Sequence, residues 1–125
     1  DKRIWQFGIH SGEKYEFEWA RDHTFLTPFT LDGIEKALEV IGDRPIYLTI
    51  DLDVLDPSVF PGTGTPEHGG VTFKELIAFL LKLRGKNFVG ADLVELAPHY
   101  DASGISTAAA CKLLREVALV IAAKI

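Results

Sequence analysis

The stretch Ile46 to Gly70, IYLTIDLDVLDPSVFPGTGTPEHGG, constrains this chain more than any other. An apolar run ends there in closely spaced carboxylates and then in a loop of Gly, Pro and Thr. Ile46 to Ile50 are β-branched, aromatic or aliphatic, and too few for a helix before the turn residues begin. The run therefore suits a strand buried on both faces. Asp51 and Asp53 follow at its C-terminal end. Side chains two apart on an extended chain point the same way, with Cα atoms roughly 6.5 Å apart at a rise of about 3.3 Å per residue. Two such carboxylates can share a pair of cations, since the metals of binuclear hydrolases lie about 3.5 to 4 Å apart. Oxygen-rich sites suit magnesium or manganese, whereas imidazole brings in zinc, nickel or iron.

A plainer reading competes with this one. An aspartate at a strand end is often a turn residue or a cap, because its side chain accepts from nearby backbone N–H groups. Asp56, followed by Pro57, is read as turn chemistry of that kind. An i, i+2 pair directly after five apolar residues is less ordinary, and it keeps the metal reading open.

The rest of the chain narrows the setting. Its 125 residues match the common size of one domain with one core. No apolar stretch reaches the roughly 20 residues of a membrane helix, and the start DKRIW lacks a signal-peptide pattern, so a cytoplasmic protein without membrane contact is expected. The net charge of −5 argues against a nucleic-acid partner, which requires a basic patch, and it favours a cationic ligand. The single cysteine, Cys111, cannot form an internal disulfide and lies in an apolar helical stretch, where it is read as a core residue. The chain contains no methionine and opens on a charged tripeptide that leads straight into a strand. We therefore expect residues 1–125 to be one part of a longer protein.

In chain order, Ile4 to Ile9 reads as a first strand ending at His10, with Gly8 marking a close backbone approach. SGEKYEFEWARD then has helix-compatible spacing, and His23 falls in a polar connection. Thr30 or Asp32 caps a helix from about Leu31 to Ile41 that Gly42 closes. The loop from Pro57 to Gly70 is long for a compact domain, which points to a function. Thr72 caps the helix TFKELIAFLLKLRG, and FVGADL, Phe88 to Leu93, is a further strand with Asp92 and Glu95 at its exit. From Ser103, taken as the cap, a mostly apolar helix runs to the end. Strand and helix alternate three times, so parallel strands joined by right-handed crossovers are expected. Open parallel sheets bind ligands beyond the carboxyl ends of their strands. His10, Asp51, Asp53, Asp92 and Glu95 all fall at such ends.

TIDLDVLDP followed by PGTGTPEHGG, and then GADLVELAPHYDASGISTAAA, closely resembles the C-terminal half of the ureohydrolases, the arginase and agmatinase family. FGIHSGEKYEFEWA is a weaker match, and PGTGTPE and ELAPHYD look more like the agmatinase branch. The resemblance implies a three-layer α/β/α, arginase-like fold with a parallel sheet, of which residues 1–125 form the C-terminal part. It implies a centre of two Mn2+ ions, bridged by Asp51 and bound singly by Asp53. Glu95, at the glutamate of the family's Asp-x-x-Glu motif, would hold a small cationic guanidino substrate through charge-assisted hydrogen bonds. Water activated by the two cations would attack the guanidinium carbon and release urea and an amine. Agmatine is the implied substrate; arginine, guanidinobutyrate or a formimino compound is the alternative. His10 stands where arginine is common and His68 where a small residue is expected, and neither is a family ligand.

The family's remaining ligands lie in Gly-Gly-Asp-His and Asp-Ala-His-x-Asp motifs, which do not occur in this chain. Two carboxylates do not satisfy two ions that each want about six donors. The chain alone is accordingly expected to be inactive, and to pair with the missing half or with further copies in a homo-oligomer, a trimer or hexamer. Two other classes compete: a magnesium-dependent phosphatase of the haloacid-dehalogenase type, whose Asp-x-Asp motif opens its domain, and a non-catalytic α/β binding module whose aspartates cap loops.

Overall fold

The computed structural model describes residues 2–123. Its elements run β1 (Trp5–Ile9), α1 (Lys14–His23), β2 (Phe25–Pro28), α2 (Ile34–Ile41), β3 (Ile46–Asp51), a 3₁₀ turn (Leu52–Val54), α3 (Phe73–Lys82), β4 (Phe88–Val94), a second 3₁₀ turn (Pro98–Tyr100) and α4 (Ile105–Ala122). β1 pairs in parallel with β2, and β3 in parallel with β4. This is the α/β architecture with parallel strands that the alternation predicts. No helix among the described residues is long and apolar enough to cross a membrane.

One strand escaped the sequence reading. β2 occupies part of the segment read as a polar connection, and His23 is the last residue of α1, with its ring stacked on Trp19. β2 has only four residues, FLTP, too short for alternation to register. Pairing creates it: Trp5 stacks on Phe25 with ring centroids 3.9 Å apart, and the Phe25 N–H donates to Ile4 O at 2.9 Å.

The expectation that Ile46–Ile50 is buried on both faces does not hold. Ile50 is buried, whereas Tyr47 is 61% exposed and Thr49 and Asp51 are also exposed. Side chains alternate along a strand, so one face of β3 meets the core and the other is open. The core contains Leu52, Leu55, Phe60, Leu80 and Leu113, each almost fully buried.

The helix ends differ in detail from the sequence reading. Thr72 caps α3 in a reciprocal capping box with Glu75, as expected. α2 begins instead at Gly33, whose φ of 82° brings the chain in without a side-chain cap from Thr30 or Asp32. At α4 the cap position is Gly104 rather than Ser103. The Asp101 carboxylate accepts from the Ser106 N–H at 2.7 Å, and Ser103 Oγ accepts from Ile105 N–H at 3.2 Å. α4 buries Ser106, Ala110, Leu113, Val117 and Val120, a stripe at helical spacing. Cys111 falls outside that stripe and is exposed, so it is not a core residue. The last residues of the helix read from Ser103, 124 and 125, lie outside the described residues.

Loop 57–70 closes on itself. Val71 N–H donates to Val54 O at 2.9 Å, and Asp56 N–H donates to Val71 O at 3.0 Å. Gly70 permits this return, because a Cβ there would sit 2.4 Å from Asp56 N and 2.6 Å from Leu55 C. The Asp56 carboxylate accepts from Ser58 N–H at 2.9 Å and Gly69 N–H at 3.0 Å, which ties both ends of the loop together. Hydrogen bonds from Ser58, then from Gly69, lower its pKa to about 2.

Two predictions follow from these contacts. Gly8 has φ +72°, and a Cβ there would lie 2.6 Å from Val54 Cγ2, the close approach read from the strand. Gly8→Ala therefore combines a left-handed penalty of about 1–2 kcal/mol with overpacking against Val54, and a lower denaturant midpoint is expected. An unchanged midpoint would contradict the contact. For Asp56, a depressed carboxylate pKa stabilises the fold above the ordinary value of about 4 and loses that contribution as pH falls towards about 2. Asp56→Asn should lower the melting temperature at pH 6, and the difference from the parent should shrink steadily below pH 4. A difference independent of pH would rule the assignment out.

Candidate functional site

β3 and β4 deliver their acids to one rim. Asp51 is the last residue of β3, in register with Val94, and Glu95 follows Val94 directly. Adjacent strands lie about 4.8 Å apart, so Glu95 leaves its strand beside Asp51. Asp53 reaches the rim differently from the extended geometry expected. The chain turns into the 3₁₀ segment at Leu52, and Asp51 Oδ1 caps it by accepting from Asp53 N–H at 3.2 Å. Asp51 is thus a cap as well as a rim carboxylate, and both readings of it describe real contacts.

The two carboxylates are close enough to perturb one another. Although Asp51 is exposed as a residue, partial desolvation of its carboxylate, followed by the hydrogen-bonded and negatively charged Asp53, pushes its pKa up to about 6, while the Asp53 N–H and His10 act in the opposite sense. Crowded carboxylates resist double ionisation, and a hard divalent cation held between them would remove that penalty. This donor chemistry fits manganese or magnesium. It is only part of a site, because no group of three or more His, Cys, Asp or Glu residues able to hold a metal ion occurs among the described residues.

Loop 57–70 links Asp53 to Glu95. Thr65 Oγ1 donates to Asp53 Oδ2 over a long 3.4 Å, and Glu95 Oε2 lies 3.9 Å from where a Cβ on Gly64 would be. The Glu95 carboxylate therefore stands against Gly64, one residue from the threonine that touches Asp53. Glu95 itself has φ 67°, a left-handed conformation uncommon for a residue with a side chain. Strain of this kind costs about 1–3 kcal/mol and persists only where surrounding contacts enforce it. Here Ala97 N–H donates to Gly62 O at 2.8 Å, fastening the strand exit to the loop.

Other residues of the sequence reading fall elsewhere. Asp92 is not at a strand exit: β4 continues to Val94, and Asp92 accepts from Tyr47 Oη at 2.7 Å and Thr49 Oγ1 at 2.6 Å on the open sheet face. Gly90 makes room for that tyrosine, since a Cβ there would lie 2.7 Å from its ring. His10 Nδ1 lies 3.0 Å from Gly8 O. His68 is exposed and 4.0 Å from Asp56. Thr65, Asp101 and Ser106 lie within the PGTGTPE and HYDASGIS segments that carry the resemblance, but their individual contacts run through loop backbone that the sequence pattern does not specify.

The chain is similar to known proteins in sequence and in fold. Residues 1–120 match the model of the arginase family. An agmatinase from Bacillus cereus is 46% identical over 123 residues, which make up 94% of this chain and 42% of that protein. The crystal structure of a Clostridium difficile protein described as an agmatinase superimposes with a TM-score of 0.92 at 50% identity, covering 97% of this chain and 45% of that one. Bacillus subtilis arginase, at 22% identity and a TM-score of 0.83 over 98% of this chain and 46% of that one, shares the fold. The chain thus spans less than half the length of the proteins it matches. It is a member of the arginase family and has that family's fold.

Proposed function

We propose that this chain is the C-terminal part of a manganese-dependent amidinohydrolase that converts agmatine to putrescine and urea in the cytoplasm. The observation that carries this reading is the convergence of Asp51, Asp53 and Glu95 on one rim, with Gly64 and Thr65 between them. The agmatinase relatives support agmatine over other guanidino compounds. The same relatives weigh against the phosphatase alternative.

Each residue has a chemical task in this reading. Asp51 and Asp53 would hold two Mn2+ ions, with the remaining donors supplied from outside residues 1–125. When bound, the ions supply positive charge at the reacting carbon and water acidified towards neutral pH. Glu95 accepts hydrogen bonds from the planar guanidinium and orients its carbon towards the carboxylate pair. The net charge of −5 draws a cationic substrate in. A partner, either the remaining segment or further copies of the chain, would cover exposed apolar side chains such as Tyr47, Val89, Leu114 and Leu119, which are 58% to 67% exposed.

Four measurements test this proposal. The complete protein with manganese should release urea from agmatine, whereas residues 1–125 alone should release none; catalysis by the isolated chain would refute the proposed division of ligands. Asp53→Ala should weaken manganese binding by about 100-fold or more, beyond the usual cost of losing a supporting contact, and unchanged affinity would reject the metal role. Glu95→Ala should lower kcat/KM by about 10–100-fold, the worth of a charge-assisted hydrogen bond. Full turnover in that variant would remove Glu95 from substrate binding. Light scattering of residues 1–125 should detect self-association, and a monodisperse monomer would count against the covered surface.

A further inference from the structure

We infer that Asp101 and Ser106, at the start of α4, are positioning residues that set where the Glu95 carboxylate stands relative to Asp53. The inference rests on the amidinohydrolase reading. Neither residue reaches the rim, and both act through the backbone of loop 57–70.

The connection can be followed atom by atom. Ser106 is fully buried, and its Oγ accepts from Gly62 N–H at 2.8 Å. Its own N–H is held by Asp101 Oδ2 at 2.7 Å, while Asp101 Oδ1 accepts from Ser103 N–H at 3.0 Å and from Ser103 Oγ at 2.5 Å. Asp101 is 9% exposed, and both of its carboxylate oxygens accept hydrogen bonds. Gly62 O in turn accepts from Ala97 N–H at 2.8 Å. Gly62 is therefore clamped on both sides, by α4 through its N–H and by the exit of β4 through its carbonyl.

Steric contact sharpens the clamp. A Cβ on Gly62 would lie 2.7 Å from Ser106 Cβ and 3.1 Å from Asp101 Cβ, so the loop rests directly on these two residues. Two residues further on, Gly64 forms the surface against which Glu95 Oε2 stands, and Thr65 reaches Asp53. A shift of Gly62 would move both the support of Glu95 and the hydroxyl on Asp53. It would also release the Ala97 bond that holds Glu95 in its left-handed conformation.

A clamp that acts through Glu95 has a signature that general destabilisation lacks. In the complete manganese-loaded protein, Ser106→Ala should raise KM for agmatine about tenfold, the size of one buried hydrogen bond, with bound manganese per chain unchanged. In a Glu95→Gln background the same change should raise KM by no more than about twofold, because coupled residues are non-additive. Full multiplicative effects in the double variant, or a KM change matched by loss of manganese, would overturn the positioning role. If Ser106→Ala does not accumulate as folded protein, Ser106→Cys keeps a side chain of similar shape, weakens the acceptor and runs through the same cycle with the same expected pattern. A parent protein that releases no urea would overturn the amidinohydrolase reading itself, whereas an active parent with additive variants would overturn the clamp alone.

Discussion

The hydrogen bonds that return Val71 to the backbone of Val54 and Asp56 are the constraint on which the rest of this structure depends. They turn loop 57–70 from an open connection into a closed excursion whose ends are fixed, in the manner of a compact Ω-loop. Phe60, fully buried in the core cluster, fastens it to the core. An unanchored loop of this length would pay a large ordering entropy each time it met a ligand. Anchored, it can hold Gly64 and Thr65 as fixed parts of the rim.

The rim follows from strand geometry. Parallel pairing of β3 with β4 brings Asp51 level with Val94, and that register puts Glu95 one residue beyond the same line. The 3₁₀ turn after Asp51 folds Asp53 back towards its neighbour rather than letting it continue outward. Two acids that repel each other and a third held in a strained backbone conformation are unfavourable in isolation. They are tolerated because the core beneath is well packed, with Leu52 at the start of the turn and Leu55 just after it almost fully buried. Local disfavour concentrated at one place is the pattern of a site shaped for ligands rather than for stability.

The sequence carried most of the architecture. Ile46–Asp51, Phe88–Val94 and Phe73–Lys82 are long or strongly patterned enough to be read directly, and the Thr72 cap is written in the Thr-x-x-Glu spacing. β2 was illegible because four residues contain no period, and its existence depends on pairing with β1 across the α1 helix. The exposed face of β3 was misread because an unbroken apolar run does not say whether each face is covered; Tyr47 satisfies the pattern equally well while hydrogen bonding to Asp92. Cys111 was misplaced for a similar reason, since α4 is apolar well beyond the stripe that it buries.

At the site, the acids were legible and their connections were not. Asp51, Asp53 and Glu95 announce themselves as carboxylates at strand exits, but the links among them run through backbone atoms of Gly62, Gly64 and Ala97, which no side-chain pattern encodes. The most direct test of the account is a crystal structure of the complete protein with manganese and an unreactive guanidino ligand. The account predicts both Asp51 and Asp53 on the metal pair and the Glu95 carboxylate about 2.7–3.2 Å from guanidinium nitrogens. Manganese bound without either aspartate, or Glu95 turned away from the guanidinium, would contradict it.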